Sequence, residues 1–191
     1  MLKTFIMDNV LKLPFAAFGY NWNDLQLFLK HKGNPPYEIT DDLNLWRSEI
    51  KGLGNLTSVG GGLNLSYSEI EDLGNLTSVG GRLEMSYCKI ESLRNLTSVG
   101  GYLNLSFSGI ETLGNLTSVG GTLDLSFCKI EYLRNLTSVG GYLDLRGTNI
   151  ESLGNLTSVG DGLDLRRTVL SKIYVKEEIQ AIVKVGGKIY L

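Results

Sequence analysis

The string Asn-Leu-Thr-Ser-Val-Gly begins at Asn55, Asn75, Asn95, Asn115, Asn135 and Asn155, a period of twenty residues held through six copies. Few folds accept so strict a period. Self-similarity at about 20–50 residues marks identical supersecondary units stacked side by side. A Leu-x-Leu or Leu-x-Met pair recurs in register at Leu43, Leu63, Leu83, Leu103, Leu123, Leu143 and Leu163. Leucines two apart point to the same side of a strand, so each pair predicts a short strand facing a core. Later in the unit, Ile70, Leu73, Leu76 and Val79 lie three apart. That spacing predicts an extended, polyproline-like or 3-10 return rather than an α-helix. One unit cannot bury its apolar side, whereas a stack buries all of them in one continuous core.

Glycine makes up 24 of 191 residues, well above the usual share of about 7%. The period accounts for it. Eleven glycines fall in the Gly-Gly corner after each valine and four more precede the repeated asparagine. The corners are expected to use positive φ and close approach between rungs. Asp161 replaces the second corner glycine before the last repeat strand, and that corner is expected to differ. A second period lies over the first. Residues 61–100 and 101–140 agree at 31 of 40 positions, so the repeats read as copies of a two-repeat block.

The pattern Leu-x-Leu-x-x-(Ser/Cys/Thr)-x-Ile-x-x-Leu resembles the leucine-rich repeat, across roughly residues 43–170. The run Asn-Leu-Thr-Ser-Val-Gly-Gly-x-Leu-x-Leu is similar to the ligand-binding L domains of growth-factor receptors. The whole is more similar to short glycine-rich leucine-rich repeat proteins of bacteria and their phages. The resemblance implies an α/β solenoid: a right-handed leucine-rich repeat coil with a parallel β-sheet on its concave face, extended or 3-10 returns, and helical N- and C-terminal caps. The family usually carries Asn where this chain has Ser48, Ser68, Cys88, Ser108, Cys128, Thr148 and Thr168.

The expected organisation is one structural domain, with an N-terminal cap over 1–41, repeats over 42–170 and a helix–strand cap over 171–191. A helix is expected from an Asn23 N-cap to Gly33, before Pro35 and Pro36. Another should cover Lys176 to Val183. Lys188-Ile189-Tyr190-Leu191 then repeats the strand pattern and predicts an eighth parallel strand. In Met1–Leu13, Lys3, Asp8 and Lys12 break every apolar run. The reading is a cytoplasmic chain without signal peptide, transmembrane segment or membrane partner.

Chemistry-bearing residues are sparse. His31 is the only histidine, at the end of a predicted helix with no nucleophile placed beside it by sequence. Cys88 and Cys128 sit two rungs apart, about 10 Å at the strand spacing, too far for a disulfide. They are expected to be buried free thiols. The six Asn-Leu-Thr triplets read as structural columns rather than glycan acceptors. The glutamates at 71, 91, 111, 131 and 151 and the aspartates at 124, 144 and 164 read as solvated columns. No phosphate loop, dinucleotide fingerprint or metal-ligand spacing occurs, and no cofactor or enzymatic activity is expected.

The variable positions carry the functional reading. Residues flanking the strand leucines should face solvent on the concave sheet. The candidate binding residues there are Trp46, Arg82, Tyr102, Asp124, Tyr142, Asp144, Arg146, Asp164, Arg166 and Tyr190, a mixture of the types enriched at interface centres. The column Tyr67, Tyr87, Phe107, Phe127 has an inward phase and is expected to pack at the strand ends. Residues 42–165 carry 14 acidic and 8 basic side chains, which disfavours nucleic acid as a partner. The expectation is a non-catalytic protein–protein interaction module. The phage-like resemblance adds an inhibitor of a bacterial enzyme or defence complex. The alternative is a self-assembling structural scaffold.

Overall fold

The computed structural model describes residues 6–7 and 10–191; part of the segment read above for a leader therefore lies outside the described residues. The chain is a parallel-strand β-solenoid of about six turns with few helices. The leucine pairs form an eight-stranded sheet, from Leu43–Asn44 through Leu163–Asp164 to Ile189–Tyr190. Register advances by twenty residues per rung, as in Leu103 opposite Leu123, until Leu163 pairs with Ile189. The eighth parallel strand foreseen from Lys188 to Leu191 is therefore present. Between Leu163–Asp164 and it lie two short helices, Leu170–Ile173 and Lys176–Ile182.

The return segments take the extended form of the two expected. Each contains a short strand, of four residues at Leu56–Val59 and two at Ser78–Val79 or Ser118–Val119, and these strands build a second parallel sheet. Among the described residues no return is 3-10; the only 3-10 helix is Phe15–Phe18. The spacing of three comes from turns. Leu76 N–H donates to the Leu73 carbonyl at 3.2 Å and Ser68 N–H to that of Leu65 at 3.0 Å. A bend closed by an i→i+3 bond returns the chain inward after three residues. A third side carries isolated parallel bridges, Gly52 to Asp72, Ser92 to Thr112 and Tyr132 to Ser152. The coil is thus three-sided, and the core inside it is a continuous column of Leu, Ile and Val with almost no exposed surface.

The second sheet also runs into the N-terminal segment, which lacks the repeat. Val10–Leu13 pairs parallel with Tyr37–Ile39, which pairs with Leu56–Val59. The connection holds the helix Trp22–His31, which starts two residues before the expected limit and ends before Gly33. Its N-cap is Asn21 rather than Asn23: Asn21 Oδ1 accepts from the Asn23 and Asp24 amides at 2.9 and 3.3 Å. Leu25 and Leu29 bury the apolar side of this helix against the core. The Asp41 carboxylate accepts from the Phe15 and Ala16 amides, tying the 3-10 turn to the first rungs. Burial pushes the Tyr37 hydroxyl up to about 12, and that hydroxyl donates to the Leu53 carbonyl.

The corner glycines are required by proximity and not by φ. None of the repeat corners has positive φ. A methyl at Gly100, Gly120, Gly140 or Gly160 would instead overlap the carbonyl oxygen of the corner glycine one rung before. Positive φ belongs to the glycines before asparagine, Gly54, Gly74, Gly114 and Gly154, at 57–60°. The Asp161 corner is not distorted either. Its amide donates to the Gly141 carbonyl at 3.1 Å, as Gly101 does to Gly81 at 2.9 Å.

Repeated polar residues close the remaining backbone bonds. The Thr77, Thr97, Thr117, Thr137 and Thr157 hydroxyls each donate to the threonine carbonyl of the preceding rung, at 2.9–3.1 Å. Asn95 and Asn135 Nδ2 donate to the Gly74 and Gly114 carbonyls. Cys88 and Cys128 are free and buried, and burial pushes both thiols up. These distinct causes predict distinct costs. Gly120→Ala should destabilise by about 3 kcal/mol, since backbone must move. Gly54→Ala meets nothing within 4 Å and should cost about 1 kcal/mol, the left-handed penalty alone. Denaturant titration of the two variants measures the difference.

Candidate functional site

The candidate face is the outer side of the leucine sheet. Its side chains are set by the strand exits. Oδ1 of Asn44, Asn64, Asn104, Asp124, Asp144 or Asp164 accepts the amide two residues on, at 2.9–3.1 Å. Asn and Asp make this local bond because the short side chain mimics a backbone turn. The column read as a solvated acidic stripe therefore has a backbone role first.

At the C-terminal end the column becomes a compact ion network. Asp164 has no exposed surface and Asp144 is buried, against the expectation that both project to solvent. Arginines two residues along the strand cover them. Arg146 bonds Asp144 through Nε and through Nη2 at 2.6 Å, and Arg166 bonds Asp164 in the same way, also at 2.6 Å. The Arg146 Nε also lies 3.5 Å from Asp164 Oδ2. Tyr142 O–H donates to that oxygen at 3.0 Å, and the Arg166 guanidinium lies 5.2 Å from the centre of the Tyr190 ring. Such forked pairs fix a guanidinium in place.

The ionisation follows the geometry. Burial alone pushes the Asp164 carboxyl up, but hydrogen bonds from Arg166 and Tyr142 outweigh it and hold the group below the ordinary carboxylate range. Burial, then Asp164, pushes the Tyr142 hydroxyl up, and the Asp144 bond raises Arg146. Burial and the charges of Asp124, Glu84 and Asp144 push Tyr102 up to about 12.

The structure joins Tyr142, Asp144, Arg146, Asp164, Arg166 and Tyr190. Tyr102 is half-buried further along the sheet, within the field of Asp124 and Asp144. Asp124 is half-buried and bonds only its own strand exit. Arg82 is exposed, its stem lying over Gly62. Trp46 lies on the first strand's exit, at the opposite end of the sheet, with the Arg47 guanidinium 4.5 Å from its ring centre. The serines at 66, 86, 106 and 126, expected on the solvent side, are buried, and Ser86 Oγ bonds Ser66 Oγ at 3.3 Å.

The aromatic column is also reversed in phase. Tyr67, Tyr87, Phe107 and Phe127 are 43–49% exposed and stack in one ladder, with ring centres 4.7, 5.1 and 4.8 Å apart. Arg47 lies over Tyr67 at one end, and the Phe127 ring rests on the bare Gly147 backbone at the other. All four aromatics have left-handed backbone, φ 55–59°. That conformation costs a residue with a Cβ roughly 1–2 kcal/mol, and each stacked pair returns about 0.5–1.5 kcal/mol. The turn thus swings outward a column whose count from the strand points inward.

His31 ends the first helix, exposed, and its Nδ1–H donates to the Leu27 carbonyl at 2.7 Å. Among the described residues no group of three or more His, Cys, Asp or Glu could hold a metal, and no helix is long and apolar enough to cross a membrane. Comparison with protein-family models, curated proteins and solved structures returned no match to this chain.

Two outcomes are expected here. Phe107→Ala loses two stacked faces yet keeps the left-handed penalty, so it should be less stable than Phe107→Gly by about 1 kcal/mol, as thermal melts would show. Asp164→Asn should lose about 1–3 kcal/mol at neutral pH. A carboxylate held low in the folded state contributes above its unfolded value, about pH 3.9, and loses that contribution as pH falls through the folded value. The gap between wild type and Asp164→Asn should therefore close on acidification, measured by denaturant titration at each pH.

Proposed function

We propose that this chain is a non-catalytic protein-binding module that uses the outer face of its leucine sheet. The observation that carries the reading is the pair of guanidiniums, Arg146 and Arg166, locked by buried aspartates beside Tyr142 and Tyr190. Arginine and tyrosine dominate binding hot spots, and side chains already fixed lose little freedom when a partner docks. The recurring Leu-x-Leu strands support assignment to the leucine-rich repeat class, and Leu25, Leu29, Leu170 and Ile179 support a capping role for the helices. On the narrower form of this reading, the partner is a bacterial enzyme or defence complex and binding inhibits it.

A second reading, self-assembly, is favoured by the exposed aliphatics Val169, Ile173, Val175 and Ile182 at the C-terminal end. Lys184, in one terminal strand, and Lys188, just before the other, oppose edge-to-edge pairing. Affinity capture from the native cell extract, with Arg146→Ala/Arg166→Ala beside the wild type, tests the first reading. The wild type should retain a partner that the variant loses by about tenfold, the scale of one hot spot. Equal retention by a folded variant would move the site elsewhere, and concentration-dependent sedimentation would favour assembly.

A further inference from the structure

The third side of the coil carries a feature that the twenty-residue repeat does not require. Position 54 and its equivalents are left-handed in every repeat, and Gly54, Gly74, Gly114 and Gly154 meet that demand without strain. Arg94 and Arg134 occupy the same position at φ 45° and 48°. Both are exposed, and neither has the aromatic stacking that offsets strain in the ladder. Arg94 has one long ion pair, 3.7 Å to Asp72; Arg134 has no carboxylate within 4.0 Å among the described residues. Persistent backbone strain without a local return points to use.

The two arginines belong to matching clefts. One, of about 350 Å³, is lined by Glu71, Lys89, Glu91, Ser92 and Arg94. Forty residues on, a cleft of about 460 Å³ includes Glu111, Lys129, Glu131, Tyr132 and Arg134. Between them the same two columns are bare backbone, at Gly109 and Gly114. Cations therefore recur every second rung, about 9.6 Å at a strand spacing near 4.8 Å. The glutamates recur on every rung.

This difference in period selects the ligand. A densely charged polyanion would meet the glutamate of every rung. A chain with sparse carboxylates can set one acid at each Lys/Arg pair and none at the intervening rung, provided its acids recur near 9.6 Å. Residues on one side of a β-strand recur at about 6.6 Å, which does not fit. A polyproline II helix returns to the same side every three residues, about 9.3 Å. We infer that this third side binds an extended polyproline II segment of a partner protein with an acidic residue at every third position, one carboxylate at Lys89/Arg94 and the next at Lys129/Arg134. The site is separate from the leucine-sheet face and does not depend on its partner.

Fluorescence anisotropy with a labelled peptide of four Glu-Pro-Pro triplets tests the inference on the full chain. The decisive variant is Arg94→Gly/Arg134→Gly, which restores the residue found at the neighbouring rungs and should fold at least as stably. The peptide should bind, weaken with added salt, and lose at least about tenfold in affinity to the variant, the scale of two exposed ion pairs. A peptide of alternating Glu and Pro should bind at least about tenfold more weakly, because its acids fall out of step. The inference is overturned if the triplet peptide does not bind, if the variant binds it equally, or if the alternating peptide matches it. Tighter binding of an acidic oligouronate would also overturn it, in favour of a polysaccharide site. So would a shift toward monomer in the variant on sedimentation, in favour of a second copy.

Discussion

The carbonyl oxygen of the first glycine in each corner occupies the space where the first residue of the next corner would carry its Cβ. That contact sets the rest of the molecule. Rungs brought so close align their amides and carbonyls, so the leucine sheet and the Ser-Val sheet propagate in register. The same closeness lets the threonine hydroxyls and asparagine amides reach the preceding rung. A larger residue at the first corner position would open the stack on two sides at once. Asp161, at the second corner position, keeps its backbone bond, and the twenty-residue spacing gives way beyond the strand that follows it.

A coil fixed at its corners displays whatever its free positions hold. Two of those positions are left-handed, and side chains there lean away from the core. At one, the strain is met by stacking aromatic rings from rung to rung. At the other, glycine meets it in four repeats and arginine bears it in two. At the last two repeat rungs, buried aspartates convert long, flexible arginines into fixed groups. Rigid spacing and fixed charge together make a surface that can measure distance along a partner.

The period, the leucine strands, the inward apolar column and the eighth strand were legible because each repeats a pattern of hydrophobic spacing. The Ser-Val sheet was not, because two residues are too few to show alternation and parallel pairing leaves no local mark. Positive φ was assigned to the wrong glycines. Corner and pre-asparagine glycines look alike in sequence, and only the position of the neighbouring rung separates close approach from left-handed backbone. The candidate face was legible as a set of residue types, but the burial of Asp144 and Asp164 was not. Their cover comes from Tyr142, Arg146 and Arg166, on the same and adjacent strands, whose side chains fold back over them. The aromatic column was placed inward because strand alternation was continued through a residue that the turn makes left-handed.

Amide hydrogen exchange at the corner glycines is the most direct measure of the central contact. Gly100, Gly120, Gly140 and Gly160 donate to the valine carbonyl one rung before, at 2.8–2.9 Å. If the corners lock the stack, these amides exchange only when the coil opens as a unit, with protection equal to that of the leucine-sheet amides. Exchange close to the rate of an unstructured chain, while the leucine amides stay protected, would show that the corners are loose and contradict the account.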